Sequence, residues 1–219
     1  ERNAPGAAEI HLLRARAFRG NRDGQPGMSM QDQLDDGTDV RLRDAHAEDR
    51  PALAAVTLQA YGEYADAMEP DAWAGLESAV RAALARDEAG VQRIVAEREG
   101  EIVGSVMLYP PQADAYGDLV DAVSWPELRL LAVAPSARGH GVGRALVMEC
   151  IRRARAAGAA ALGLHTSRSM RVALGMYERM GFVRAPEHDF QPPGGEHVTA
   201  YRLPLGADSE SPAGGRAPS

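Results

Sequence analysis

The stretch from Arg129 to Leu146 reads Arg-Leu-Leu-Ala-Val-Ala-Pro-Ser-Ala-Arg-Gly-His-Gly-Val-Gly-Arg-Ala-Leu. An apolar strand runs into a glycine-rich turn carrying arginine, and the turn runs into an amphipathic helix. This order commits the chain to a fold in which a strand delivers a helix N-terminus to the end of a sheet. The first amides of a helix have no partner within the helix, and the helix dipole adds partial positive charge at that end. Gly139, Gly141 and Gly143 let a bound diphosphate approach the main chain without Cβ atoms in the way. The turn is therefore a candidate anion site.

The rest of the chain supplies elements around that unit. Val40–Arg43 alternates as a short strand. Asp44 is a candidate cap for a helix over about 48–60, with Pro51 near its first turn. A second helix is predicted over about 70–86. Strands at 91–97 and 102–109 flank Arg98-Glu99-Gly100-Glu101, a hairpin signal. A long loop over 110–124 carries Asp114, Asp118 and Asp121 and reads as an acidic flap, since nothing makes those carboxylates converge on a metal. A strand follows over 125–133. The helix after the glycine turn runs to about Ala157, with Val142, Leu146, Cys150, Ile151 and Ala154 on one face and Gly158 as its stop. Then come a strand over 160–165, a helix over 169–180 stopped by Gly181, and strands at 182–184 and 197–203. Residues 1–37 and 206–219 have no sustained period and read as disordered extensions around one domain at 38–205. Met28 and Met30 lie just before the first patterned segment and are candidate native start sites.

The pattern Arg138-x-x-Gly141-x-Gly143 resembles the acyl-coenzyme A pyrophosphate motif of the Gcn5-related N-acetyltransferase (GNAT) family. Ala173-Leu-Gly-Met-Tyr177-Glu-Arg-Met-Gly181-Phe182 resembles a second signature of that family, A-x-x-[LF]-Y-x-x-x-G-F. The element order, βααβββαβαββ, matches as well. The resemblance implies an α/β (α+β mixed) fold of the GNAT type, a mixed twisted sheet of six to seven strands flanked by about four helices. It implies acetyl-CoA as co-substrate, with no metal. It assigns the main chain of Leu131, Ala132 and Val133 to the pantetheine arm, paired as an added strand. It assigns Arg138, Gly139, His140, Gly141, Val142, Gly143 and Arg144 to the pyrophosphate. The family often has Asn at the place of Met170, whose thioether cannot make that amide's hydrogen bonds. The pantetheine contact usually made there is then absent or supplied by a neighbour, with Ser167, Arg168 and Ser169 as candidates.

For chemistry, Tyr177 falls on the position that often protonates the departing thiolate, a task suited to a phenol. Attack needs a neutral amine, while an alkyl ammonium has a pKa near 10. A base must take its proton, and Glu127 is the leading candidate, with Glu97 and Glu63 behind it. In a regular strand Glu127, Arg129, Leu131 and Val133 would share one face. His165, at the end of the following strand, is a candidate relay or acceptor contact. Tyr61, Glu63 and Tyr64, crowded with Asp66 and Glu69 between the first two helices, suit a cationic acceptor through cation–π and charge contacts. The loop 185–190, with His188 and Asp189, is a candidate rim of that pocket. Cys150 reads as core.

Composition narrows the partners. The formal net charge is −7 and all 24 basic residues are arginine. That balance argues against nucleic acid and suits a small cationic amine. One cysteine excludes an intrachain disulfide and fits a reducing compartment, so a cytoplasmic location is expected. No run has the roughly 20 apolar residues of a membrane helix, so no membrane partner is expected. The leading reading is an N-acetyltransferase acting on a small-molecule primary amine by direct transfer. A protein N-terminal or lysine acetyltransferase is the second reading, and a non-catalytic acyl-CoA sensor or scaffold is the alternative of another class. A homodimer is the assembly the resemblance allows.

Overall fold

Residues 39–113 and 123–206 are described by a computed structural model. In chain order the elements are β1 (Arg41–Asp44), α1 (Arg50–Gly62), α2 (Pro70–Ala85), β2 (Gln92–Arg98), β3 (Glu101–Tyr109), β4 (Glu127–Val133), α3 (Val142–Ala156), β5 (Ala161–Ser167), α4 (Arg171–Arg179), β6 (Val183–Arg184) and β7 (Val198–Pro204). The expectations for residues 1–37, for Met28 and Met30, for Asp114, Asp118 and Asp121, and for the tail beyond Gly206 lie outside the described residues.

The strands form one sheet in the order β1-β2-β3-β4-β5-β7-β6. Every pairing is antiparallel except β4 with β5. The mixed α/β sheet flanked by four α-helices agrees with the expected fold. Glu99 and Gly100 both take positive φ between β2 and β3, which is what a two-residue hairpin turn requires.

Adjacent residues of β3 separate the two faces. Gly104 looks toward Val142 and Leu146 of α3, whereas the Ser105 hydroxyl lies 3.0 Å from that of Thr57 in α1. The main core lies on the α3 face and joins Ile94, Val106, Leu108, Leu128, Leu146, Cys150, Leu162, Leu164 and Tyr177. Leu146, Cys150 and Leu162 are fully buried there.

Two helices begin later than the sequence indicates. Before α1, residues 47–49 wind as a tight 3-10 turn, because the Asp49 carboxylate accepts the His46 amide at 2.7 Å and is held by Arg43. Before α4, the Ser169 hydroxyl donates to Glu196, and the helix starts at Arg171. Among the described residues no helix is long and apolar enough to cross a membrane.

Candidate active site

Between β4 and α3 the chain makes a 3-10 turn at Pro135–Ala137 and then places Gly139 at φ +77° and Gly141 at φ +76°. Both lie in the left-handed region that favours glycine. Val142 is buried and opens α3, whose first turn has no side-chain cap. The first closing bond of the helix runs from the Ala145 amide to Gly141. The amides of Val142 and Gly143 precede that first bond, a donor pair that fits a diphosphate. A ring nitrogen of His140 lies 2.8 Å from the Arg138 carbonyl and bridges the turn. The Arg138 guanidinium is ion-paired with Glu63, just past the end of α1, so two residues that the sequence assigns to different ligands meet each other.

Pairing between β4 and β5 spans only Glu127 with Gly163 and Leu128 with Leu164. Beyond Leu128 the edge of β4 faces no strand among the described residues. A bulge marks the departure. From Met107 to Ser105, β3 advances two residues while β4 advances three, from Arg129 to Ala132, and Leu130 takes φ +51°. This corrects the expected face. Glu127 and Arg129 sit on the α1 face, Arg129 with its guanidinium over the Tyr109 ring. Leu131 and Val133 sit on the α3 face with Leu128. The extra residue reverses the alternation.

Leu162 and Leu164 point into the α3-side core, so Gly163, His165 and Ser167 point to the α1 face. Glu127 and His165 meet there. The Glu127 carboxyl is 3.2 Å from Nδ1 of His165, and their side chains are only 9% and 3% exposed. Nε2 of His165 lies 3.0 Å from the His188 carbonyl. A carbonyl only accepts, so Nε2 carries a hydrogen, and Nδ1 then faces a carboxyl oxygen. Phe190 packs edge-on against His165 at 5.3 Å. Trp125 lies over Gly163, where a Cβ would sit 2.5 Å from the indole nitrogen.

Tyr177 is buried, with its ring 5.6 Å from Phe182. Burial pushes its phenol well above the ordinary value, and the Tyr61 and Tyr64 phenols and the Cys150 thiol add to the effect. Tyr177 thus keeps its proton near neutrality. Tyr61 and Tyr64 meet edge to face at 5.9 Å. Of the expected acceptor residues, these two share the Tyr177 environment, Glu63 is engaged by Arg138, and His165 joins Glu127. Burial pushes the Cys150 thiol up to about 12, so it stays protonated and packs as core.

The loop expected to rim the pocket is fixed by Asp189, which accepts the Ala200 amide at 2.8 Å and the Arg184 guanidinium. At the far end of β5, Thr166 and Ser167 are buried and their hydroxyls have no hydrogen-bond partner among the described residues. They sit on opposite faces, beside Met170 at the start of α4. Sequence reasoning did not find the contributions of Trp125, Gly163 and Glu196. The one local signal was the glycine itself, in an otherwise ordinary strand pattern.

Comparison with known proteins gives the following. A family model described as the acetyltransferase (GNAT) family matches residues 55–182, more than half of the chain. No curated protein matches. A GCN5-related N-acetyltransferase from Rhodopseudomonas palustris superposes with TM-score 0.56 at 21% identity, covering 83% of this chain and 99% of that one. A ribosomal-protein-alanine N-acetyltransferase from Brucella melitensis gives 0.52 at 24% identity, over 75% and 99%. PaiA N-acetyltransferase from Thermoplasma acidophilum, solved with coenzyme A, gives 0.53 at 15% identity, over 75% and 99%. At these identities the structural likeness carries the fold.

Proposed function

The chain belongs to the acetyltransferase (GNAT) family, and on that premise we propose that it transfers an acetyl group from acetyl-CoA to the primary amine of a small cationic molecule by direct attack. The observation that carries this reading is the buried Glu127–His165 pair where β4 leaves β5, on the same face as α1. A buried carboxyl of this kind is suited to take a proton from an attacking ammonium or amine. Acetyl-CoA supplies the activated acetyl group as a thioester.

The chain's own groups then divide the work. The amides that open α3, with Arg138, hold the diphosphate. The open edge of β4 over Leu131, Ala132 and Val133 pairs with the pantetheine amides. A main-chain N–H near Leu131 donates to the carbonyl oxygen as negative charge grows on it. Glu127 takes the amine proton, directly or through water, and His165 orients the carboxyl. Tyr177 gives its proton to the departing sulfur. Tyr61 and Tyr64 present aromatic faces to a cation.

A second reading, acetylation of a protein N-terminus, is favoured by the likeness to an enzyme named for ribosomal-protein alanine. The two separate on substrates. With acetyl-CoA and Ellman's reagent to follow thiol release, 1,4-diaminobutane is expected to be turned over well above background and a peptide with N-terminal alanine is not. The reverse pattern would establish the second reading in place of the first.

A further inference from the structure

The loop after β6 packs against His165. It leaves the strand at Ala185, winds a 3-10 turn at Pro186–His188 and returns to the sheet at Phe190. Both ends are tied to β7. The Ala185 amide donates to the Ala200 carbonyl at 3.0 Å, and Phe190 and Val198 exchange amide bonds at 3.1 and 2.9 Å. Asp189 ties the middle. Its Oδ1 accepts the Ala200 amide at 2.8 Å. The fork of Arg184 donates to both carboxylate oxygens, Nη1 to Oδ1 at 2.9 Å and Nη2 to Oδ2 at 2.7 Å. Arg184 is itself seated on β7, with Nη1 donating to the Ala200 carbonyl at 2.6 Å and the guanidinium over the Tyr201 ring. A ring nitrogen of His197 lies 3.2 Å from Oδ2. These donors, Arg184 foremost, hold the Asp189 carboxyl well below the usual carboxylate range, so it is ionised near neutrality.

Ala200 is the residue opposite His165 in the β5–β7 register. The loop is therefore anchored directly beside His165, and it sets the contacts around the Glu127–His165 pair. The His188 carbonyl takes the Nε2 hydrogen at 3.0 Å. The Phe190 ring meets the imidazole edge-on. The His188 ring meets Trp125, whose indole shares the space over Gly163 with Oε1 of Glu127. Which nitrogen of a histidine carries the hydrogen is set by the partner of the other nitrogen. With Nε2 held on a main-chain carbonyl, Nδ1 is aimed at Glu127. That carbonyl belongs to the planar peptide that joins His188 to Asp189, so fixing Asp189 fixes the carbonyl. A two-pronged arginine–carboxylate pair fixes geometry more tightly than a single contact does.

We propose that Arg184 and Asp189 are positioning residues for the Glu127–His165 pair: their ion pair holds the His188 carbonyl, the carbonyl holds Nε2 of His165, and the imidazole so held keeps the Glu127 carboxyl in place to receive the amine proton. Each non-covalent link from Arg184 to Glu127 is 3.2 Å or shorter. The proposal rests on the reading of Glu127 as the base. Arg184 and Asp189 touch neither substrate nor the transferred proton.

The test uses the full chain with Arg184→Ala, Arg184→Lys, Glu127→Gln and the double variant of Arg184→Ala with Glu127→Gln. The Arg184 side chain is 38% exposed on a two-residue strand, so its truncation leaves the core intact, and a retained rise in Tm with acetyl-CoA checks the fold. Proton–nitrogen NMR of the imidazoles, with His165 assigned by its loss in His165→Gln, needs no substrate. The Nε2 hydrogen of His165 is expected to exchange slowly with water in wild type and about tenfold faster or more in Arg184→Ala, the scale of one charge-assisted hydrogen bond. Arg184→Lys keeps the charge without the fork and should fall between the two. In the thiol-release assay, with 1,4-diaminobutane or the alanine peptide, whichever wild type acetylates, Arg184→Ala should lower kcat by about tenfold or more at unchanged KM for acetyl-CoA. In the Glu127→Gln background the same substitution should change kcat by less than about twofold, because the group it positions is gone. Unchanged exchange at His165 in Arg184→Ala would overturn the inference at its first link. An equal loss of kcat in both backgrounds would overturn it at its last. Full kcat in Glu127→Gln alone would overturn the reading of Glu127 as the base and the catalytic purpose of the clamp, while the exchange measurement would still decide whether the clamp holds His165.

Discussion

Gly163→Ala tests packing and chemistry at once. A Cβ at this position would lie 2.5 Å from the Trp125 indole nitrogen, 2.9 Å from its neighbouring ring carbon and 3.2 Å from Oε1 of Glu127. Ordinary contact begins near 3.4 Å, so the indole must retreat by about 0.9 Å. It has little freedom to do so. The His188 ring meets it edge-on at 5.2 Å and the Arg202 guanidinium lies over it at 5.7 Å. Overpacking of this kind costs about 1–3 kcal/mol. In a domain of this size, Tm moves by roughly 2–4 °C per kcal/mol, so a fall of about 2–12 °C is expected. Glu127 is crowded by the same methyl, and a misplacement on the order of 1 Å costs about 100-fold in turnover. The glycine turn before α3 is untouched, so the rise in Tm caused by saturating acetyl-CoA should persist. Thermal melting with and without acetyl-CoA, beside steady-state kcat, gives all three quantities. A Tm within 1 °C of wild type together with unchanged kcat would refute the placement of the indole over Gly163. A lower Tm with kcat intact would keep the packing argument and remove Glu127 from the chemistry.

Three further outcomes follow from the same geometry. Tyr177→Phe keeps the ring packed against Phe182 and removes only the acid, so kcat should fall by about 100-fold or more with Tm retained; full kcat in a folded variant would exclude Tyr177 as the proton donor. Saturating acetyl-CoA, at about 100 times its Kd, should stabilise wild type by about 2.7 kcal/mol, and Arg138→Ala should weaken that effect and raise the KM for acetyl-CoA; an unchanged KM would exclude Arg138 from the diphosphate site. Hydrogen bonds from Arg43 and the His46 amide hold the Asp49 carboxyl down to about 2 from 3.8, so its contribution is full above about pH 4 and is lost as pH falls through about 2. Melting of Asp49→Asn across pH should therefore show a deficit at neutrality that fades toward pH 2, and a deficit independent of pH would refute the assignment.

What the sequence revealed was local, and what it concealed was long-range or aperiodic. Gly139, Gly141 and the Glu99–Gly100 turn announce themselves because positive φ selects glycine and short turns. The helices show in their apolar spacing, and Pro51 and Gly158 mark their ends. The Arg138–Glu63 pair joins residues 75 apart in the chain, and no local pattern encodes it. The Glu127–His165 pair depends on which residues of two parallel strands fall beside each other, and the crossover helix between them hides that register. The start of α4 moved because a hydroxyl, Ser169, found the carboxylate of Glu196, two residues before β7. The bulge in β4 was invisible for another reason. Leu130-Leu131-Ala132-Val133 is apolar throughout, so no alternation of polar and apolar residues marks which side faces the core.

That bulge connects the fold to the site, and its energetics explain why it persists. A leucine at φ +51° is strained by about 1–3 kcal/mol. In a regular strand Leu128 and Leu131 would point to opposite faces, so only one could reach the core beneath α3. The extra residue lets both reach it and carries Val133 along. Full burial of one such side chain contributes about 1.5–3 kcal/mol. Even the half-buried Leu131 and Val133 together therefore offset the strain. The same step leaves Glu127 and Arg129 on the α1 face and turns the chain away from β5 just after Leu128. Apolar packing against α3 thus opens the edge of β4 that receives the pantetheine arm in the proposed mechanism, and it keeps the Glu127 carboxyl on the face where the acceptor is proposed to enter.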